Sequence, residues 1–107
     1  MGKTYLANAF SLSMLNTPST VKIEEAAVGR VKDLLKTFES AIGHESTAEF
    51  LTRLLGIPVP VRRVAIQLAP GDTLVVFQLL QRLPEGKVLS SGELANFPYK
   101  FFIVHVL

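Results

Sequence analysis

Hydrophobic and polar residues recur with two different periods along the chain. Strand-like runs, alternating or continuously apolar, lie at Lys3–Ala7, Thr20–Ile23, Thr37–Ile42, Val64–Ala69, Thr73–Leu80 and Tyr99–Leu107. Apolar residues at helical spacing fill two other stretches, Glu24–Lys36 and Thr47–Leu55. The order of these elements predicts an α/β fold, a single-layer mixed β-sheet of about five strands flanked by helices.

Local signals predict where the helices begin and end. Ser46 and Glu49 have the S-x-x-E spacing of a capping box, so the second helix is predicted to begin at Ser46. Gly56 is expected to end it, since glycine is the commonest residue after a helix. Another S-x-x-E pair predicts a short helix within residues 90–97.

Prolines and glycines mark the connections between elements. The two prolines of Ile57–Pro60 exclude a helix there. Pro70–Asp72 predicts a turn. Because this turn separates two strand-like runs, Val64–Ala69 and Thr73–Leu80 are predicted to pair as an antiparallel hairpin.

The composition indicates one domain and adds the expectation of a dimer. A chain of 107 residues suits one hydrophobic core, so residues 1–107 are predicted to form a single domain. With 49% hydrophobic residues in so short a chain, some apolar surface is expected to be buried against a second subunit. A two-fold homodimer is the commonest arrangement of that kind.

The sequence disfavours several classes of function. It has no cysteine, and its two histidines lack metal-ligand spacing, so neither a metal nor another cofactor is expected. No apolar run approaches the roughly 18 residues of a membrane span, and residues 1–20 lack a signal-peptide pattern. A cytoplasmic protein without membrane contacts is therefore expected. The net charge of +2, without a Lys/Arg block, suits a small anionic ligand better than long nucleic acid.

His44 is the candidate for proton transfer. It lies between Gly43 and the predicted helix start at Ser46, and the free N–H groups of a helix N-terminus attract phosphates. A histidine beside such a site can protonate a leaving oxygen or accept a proton. The alternative is a polar loop histidine before a well-capped helix, and these residues alone leave both interpretations open. His105, in the last strand, is interpreted as structural.

Three arginines and a glutamate are the charged candidates for ligand contacts. Arg62, Arg63 and Arg82 can each hold two phosphate oxygens through the guanidinium fork. Glu85, in a predicted turn, can orient a histidine or contact a ribose hydroxyl. Its alternative interpretation is a solvated turn carboxylate.

Uncharged polar residues supply a second group of candidates. Asn8 and Ser11 follow the first strand, where they can bind a ligand or cap local backbone. Gln78 lies within an apolar strand, and burial of an unpaired amide is costly. We therefore expect Gln78 to have a partner, either in the protein or in a ligand.

Three segments read together are similar to a known family. They are Tyr5–Ser11 (YLANAFS), Ile42–Thr47 (IGHEST) and Gln81–Leu89 (QRLPEGKVL). In this order and spacing they resemble the viral type III anti-CRISPR ring nucleases, small proteins of archaeal viruses, phages and some bacterial genomes. The resemblance spans nearly the whole chain and favours the chemical interpretation of His44.

The resemblance implies an activity and a set of site residues. Members of that family are homodimers that bind cyclic tetra-adenylate across the subunit interface. They cut it without metal into linear di-adenylates with a 2′,3′-cyclic phosphate, which shuts off type III CRISPR signalling. The family's catalytic positions fall on His44, Arg82 and Glu85. Its ligand-binding positions fall on Asn8, Ser11, Gly43, Ser46, Arg63 and Gln78.

Two other functions are consistent with the sequence. The first is a non-catalytic module that sequesters cyclic oligoadenylate. The second is a nucleic-acid-binding regulator, against which the absence of a clustered Lys/Arg face counts.

Overall fold

The predicted α/β architecture is confirmed by a computed structural model, which describes residues 2–80 and 98–107. In these residues the chain forms a five-stranded mixed sheet and two α-helices. The elements in chain order are β1 (Thr4–Ala7), a short 3-10 helix (Leu12–Met14), β2 (Val21–Ala26), α1 (Val28–Leu34), β3 (Glu39–Ser40), α2 (Glu45–Leu55), β4 (Thr73–Leu79) and β5 (Tyr99–Val106). No helix in the described ranges is long and apolar enough to cross a membrane.

The sheet combines a parallel half with an antiparallel half. Its strand order is β2-β5-β4-β1-β3. β1 runs parallel to both β3 and β4, whereas β5 runs antiparallel to β4 and β2. The carboxyl ends of β1, β3 and β4 therefore meet at one end of the sheet, the end at which open α/β sheets bind their ligands.

Both helices pack on one face of the sheet. Val75 and Phe77 of β4 lie in the same buried cluster as Val31 of α1 and Leu51 of α2. All four side chains are at most 2% exposed. These burials follow from the helical spacing of the apolar residues, which gives each helix one apolar side.

Loop segments cover the opposite face of the sheet. Leu74 and Val76 alternate with the residues that face the helices, and they pack with Ile66 and Leu68. This cover is held in place by a hydrogen bond from the Leu68 amide to the Met14 carbonyl, 2.7 Å long. Within residues 2–80 and 98–107, this face is thus covered by segments without regular structure and not by helices.

The predicted hairpin of Val64–Ala69 with Thr73–Leu80 is wrong. β4 forms as predicted, and the chain turns at Gly71 as expected, but both edges of β4 are occupied by β1 and β5. Residues 62–67 therefore form no strand. Their apolar members cover the sheet or remain exposed, because no edge beside β4 is vacant.

The predicted start of the first helix at Glu24 is also wrong. Residues Val21–Ala26 continue β2 and pair with β5, so α1 begins only at Val28. The pairing with β5 outweighs the helical spacing of the sequence around Ala26. Glu24 still reaches α1 through its side chain, since Oε1 lies 2.7 Å from Nη2 of Arg30.

Two glycines in contrasting backbone conformations give a paired stability prediction. Gly56 ends α2, as predicted, with a left-handed φ of 69°, whereas Gly29 lies within α1, and an added Cβ would have open space at either position. Gly56→Ala is expected to destabilise the protein by about 1 kcal/mol, because a side chain disfavours the left-handed region. Gly29→Ala is expected to stabilise it by about 0.5 kcal/mol. Urea unfolding of both variants checks the opposite signs; equal shifts would contradict the argument.

Candidate functional site

An open hollow lies at the carboxyl ends of β1 and β3. Its volume is about 600 Å³. The lining residues are Asn8, Ala41, Gly43, His44, Arg63, Val64 and Ala65. Four of the residues predicted for the site therefore come together here: Asn8, Gly43, His44 and Arg63.

His44 is the N-cap residue of α2 and its side chain is exposed. Its backbone is extended (φ −125°, ψ 130°), and its carbonyl accepts a hydrogen bond of 3.0 Å from the Ala48 amide. The His44 side chain makes no cap hydrogen bond to the first turn. The imidazole thus lies at the N-terminus of α2, and the first N–H groups of this helix point towards the same end of the sheet.

The predicted capping box, with Ser46 as N-cap residue, is wrong by two residues, because His44 is the N-cap residue. α2 begins at Glu45, and Ser46 lies inside the first turn. Ala48 and Leu51 are buried against the core, and their packing fixes where the first turn begins. Glu49 pairs with Arg53 at 2.7 Å. The shift places His44 closer to the helix than the capping box predicted.

Arg63 contacts the turn that carries His44. Its Nε donates a hydrogen bond of 2.8 Å to the carbonyl oxygen of Gly43. The backbone on either side is paired as well, because the Arg62 amide donates to the Ile42 carbonyl at 2.8 Å and Ile42 forms a parallel bridge with Val61. This isolated bridge lies outside the five strands of the sheet, and it brings Arg63 beside the turn that precedes His44.

Asn8 enters the hollow from the first strand. It follows β1 directly and is half-buried. β1 and the chain after β3 are joined by a hydrogen bond of 2.8 Å from the Ala41 amide to the Leu6 carbonyl. This pairing sets Asn8 beside the segment that leads to Gly43.

Three predicted ligand-binding residues are not among those that line the hollow. Ser11 is exposed and caps the 3-10 helix, its Oγ accepting from the Ser13 amide at 3.3 Å. Ser46 is half-buried in α2. Gln78 has the expected partner within the protein, since its Nε2 donates to the Leu79 carbonyl at 3.0 Å, but the residue is exposed and not buried as assumed. Gln78 lies on the same sheet face as the buried Leu74 and Val76, but it is near the end of β4, beyond the buried part of that face.

The remaining predicted positions lie elsewhere. Arg82 and Glu85 fall outside the described residues, as does the helix predicted within 90–97. His105 is half-buried in β5, with Nε2 3.6 Å from Oε2 of Glu24, which supports its interpretation as structural. In the described part of the chain no three potential metal ligands converge.

Sequence reasoning missed the apolar side of the hollow. Val64 and Ala65 line it, and Val64 is 47% exposed. Both were predicted to lie in a strand, where their pattern gives no signal of a site. They line the hollow because residues 62–67 form no strand.

Comparisons with known proteins show the family of the chain. Residues 4–101 match the family model described as STIV B116-like. The solved structure of B116 of Sulfolobus turreted icosahedral virus is similar over 97% of this chain and 99% of its own, with 33% identity and a TM-score of 0.80.

Curated relatives come from viruses and from a bacterium. Uncharacterized protein 26 of Sulfolobus islandicus filamentous virus is 33% identical over 96% of this chain and 91% of its own length. Uncharacterized protein YddF of Bacillus subtilis is 32% identical over 85% of this chain and 88% of its own. The chain therefore belongs to the STIV B116-like family.

Proposed function

We propose that this protein is a metal-independent ring nuclease that binds cyclic tetra-adenylate at a dimer interface. In this proposal it cleaves the ring to linear di-adenylates with a 2′,3′-cyclic phosphate, in the cytoplasm, and so shuts off type III CRISPR signalling. The observation that carries the proposal is the exposed His44 at the start of α2, sharing one hollow with Arg63 and Asn8. The three segments that resemble the ring nucleases support the choice of substrate.

The proposed reaction needs no nucleophile from the protein. The ribose 2′-hydroxyl loses its proton to water and its oxygen attacks the adjacent phosphorus. The bond from phosphorus to the 5′-oxygen breaks, and His44 donates a proton to that leaving oxygen. The N–H groups at the start of α2 and the guanidinium of Arg63 are suited to hold the negatively charged phosphate. The hollow thus brings together a proton donor, His44, and an anion-binding group, Arg63, which meet two of the requirements of this transesterification.

Two-fold symmetry accounts for how so small a chain encloses a ring. Cyclic tetra-adenylate carries four phosphates in near two-fold symmetry. In a C2 dimer each subunit contributes one copy of His44 and Arg63, so two opposite phosphates each meet one histidine. Two cuts at opposite phosphates yield two di-adenylates, which is the proposed product. Arg82 and Glu85 are proposed to assist, Arg82 at the phosphate and Glu85 at His44 or the ribose.

Product analysis tests the proposed function directly. The protein is incubated with an excess of cyclic tri-, tetra- or hexa-adenylate, with and without EDTA, and products are separated by chromatography and weighed by mass spectrometry. We expect many turnovers of cyclic tetra-adenylate to di-adenylate with a 2′,3′-cyclic phosphate, at a rate unchanged by EDTA. Loss of activity in EDTA would contradict the metal-independent reaction. Tight binding without turnover would show a sequestering module instead.

A further inference from the structure

We propose that Arg63 is a positioning residue that holds the His44 side chain in place through the carbonyl oxygen of Gly43. This inference rests on the proposed function for its kinetic consequence, and it adds to the anion-binding role of Arg63. The central contact is the hydrogen bond of 2.8 Å from Nε of Arg63 to Gly43. Twenty residues separate the two along the chain.

The peptide bond between Gly43 and His44 converts this contact into control of the histidine. A peptide unit is planar, and its plane contains both the Gly43 carbonyl oxygen and the Cα atom of His44. A hydrogen bond that holds the oxygen therefore restricts the rotation of the whole unit. The direction in which His44 leaves the backbone is restricted with it.

The following peptide unit is held from the other side. The His44 carbonyl accepts from the Ala48 amide at 3.0 Å, so it belongs to the first turn of α2. The His44 side chain makes no cap hydrogen bond to that turn. The Arg63 contact thus restrains the peptide unit before His44, and the helix restrains the one after it.

The geometry also gives a reason for glycine at position 43. A Cβ atom added there would lie 3.2 Å from Cγ of Arg63, tighter than an ordinary van der Waals contact. Gly43 has no positive φ that would itself demand glycine. The missing side chain therefore makes room for the stem of the arginine, and with alanine that stem would have to shift by a few tenths of an ångström.

Arg63 is itself anchored to the segment that it restrains. The Arg62 amide donates to the Ile42 carbonyl at 2.8 Å, and Oγ of Ser40 donates to the Pro60 carbonyl at 2.6 Å. The Nε contact leaves the terminal nitrogens of the guanidinium to face a phosphate in the hollow. One planar group then sets the position of the phosphate relative to His44.

Arg63→Lys tests the inference, because lysine keeps the charge but not the fork. With cyclic tetra-adenylate we expect kcat to fall about 10-fold, since small displacements of a catalytic group are costly, while KM changes less than about threefold, since the charge that attracts the phosphate remains. Arg53→Lys is the matched control. Arg53 lies on the exposed side of α2 and pairs with Glu49, so its replacement is expected to leave both parameters unchanged. An unchanged kcat in Arg63→Lys would overturn the positioning role.

A double-mutant cycle tests whether Gly43 acts through Arg63. Gly43→Ala is expected to lower kcat in the wild-type background and to have no further effect in Arg63→Ala, because the crowded side chain is then absent. Additive losses would show that Gly43 acts independently and would contradict the inference.

A measurement without substrate separates this inference from the proposed function. Nitrogen-15 relaxation of the His44 amide is expected to give an order parameter near 0.85 in the wild type and a value falling towards 0.6 in Arg63→Lys. An order parameter that does not change overturns the inference even in an active enzyme. A wild type that fails to cleave the ring, with the expected loss of order in Arg63→Lys, would refute the proposed function and leave the restraint established.

Discussion

Replacing His44 with alanine is expected to lower the rate of cyclic tetra-adenylate cleavage by about 10²–10⁴-fold, the usual contribution of a general acid. The imidazole is exposed and makes no capping hydrogen bond, so its removal costs neither buried surface nor a helix cap. The affinity for the ring and the melting temperature are therefore expected to stay close to those of the wild type. Single-turnover cleavage and calorimetric binding measure the two quantities separately.

The second histidine provides the control for this experiment. His105 lies in β5 beside Glu24, on a different strand from those that lead into the hollow. His105→Ala is expected to cleave at the wild-type rate, so a loss confined to His44 cannot be a general effect of removing a histidine. Cleavage by His44→Ala at the wild-type rate would refute the assignment of His44 as general acid.

The parts of the fold that depend on local pattern were predictable. β4 and β5 are strongly apolar, and both form within one residue of the predicted bounds. The stripe of α2 and its end at Gly56 were also read correctly, since both signals lie within a few residues. In each case the local preference agrees with the tertiary structure.

The errors arose where distant parts of the chain decide the structure. Val64–Ala69 has a strand-like pattern, but a strand also needs a vacant edge, and β1 and β5 occupy both edges of β4. Glu24 opens a stretch with helical spacing of its apolar residues, but it lies in the sheet because β2 pairs with β5. Neither fact is encoded within the segment concerned.

The candidate site shows the same division. His44 could be found because a glycine and a helix start adjoin it in the sequence. That Arg63 donates to Gly43 could not be found, because the contact depends on residues 60–63 lying beside Ile42. Arg82 and Glu85 remain predictions that come from the resemblance, since they lie outside the described residues.

The largest loss of stability is expected for Phe77→Ala. Phe77 is 2% exposed on β4, in the middle of the sheet, and its ring lies 5.4 Å from Tyr99, 5.6 Å from Phe101 and 5.7 Å from Phe50 between centroids. Removing the ring takes away buried apolar surface, leaves a cavity and breaks three aromatic contacts. The free energy of unfolding is expected to fall by about 3–5 kcal/mol, a large part of the roughly 5–15 kcal/mol that stabilises a typical domain.

Phe77→Leu separates the cavity from the aromatic contacts. Leucine keeps most of the apolar volume but no ring, so a loss well below that of the alanine variant is expected if the cavity dominates. Urea unfolding at one fixed protein concentration measures both variants, because association with a second subunit would make stability depend on concentration. Equal losses in the two variants would assign the stability to the aromatic contacts. A loss below about 1 kcal/mol in Phe77→Ala would mean that Phe50 and Tyr99 collapse into the vacated space, since the cost of such a change depends on how well the site can close.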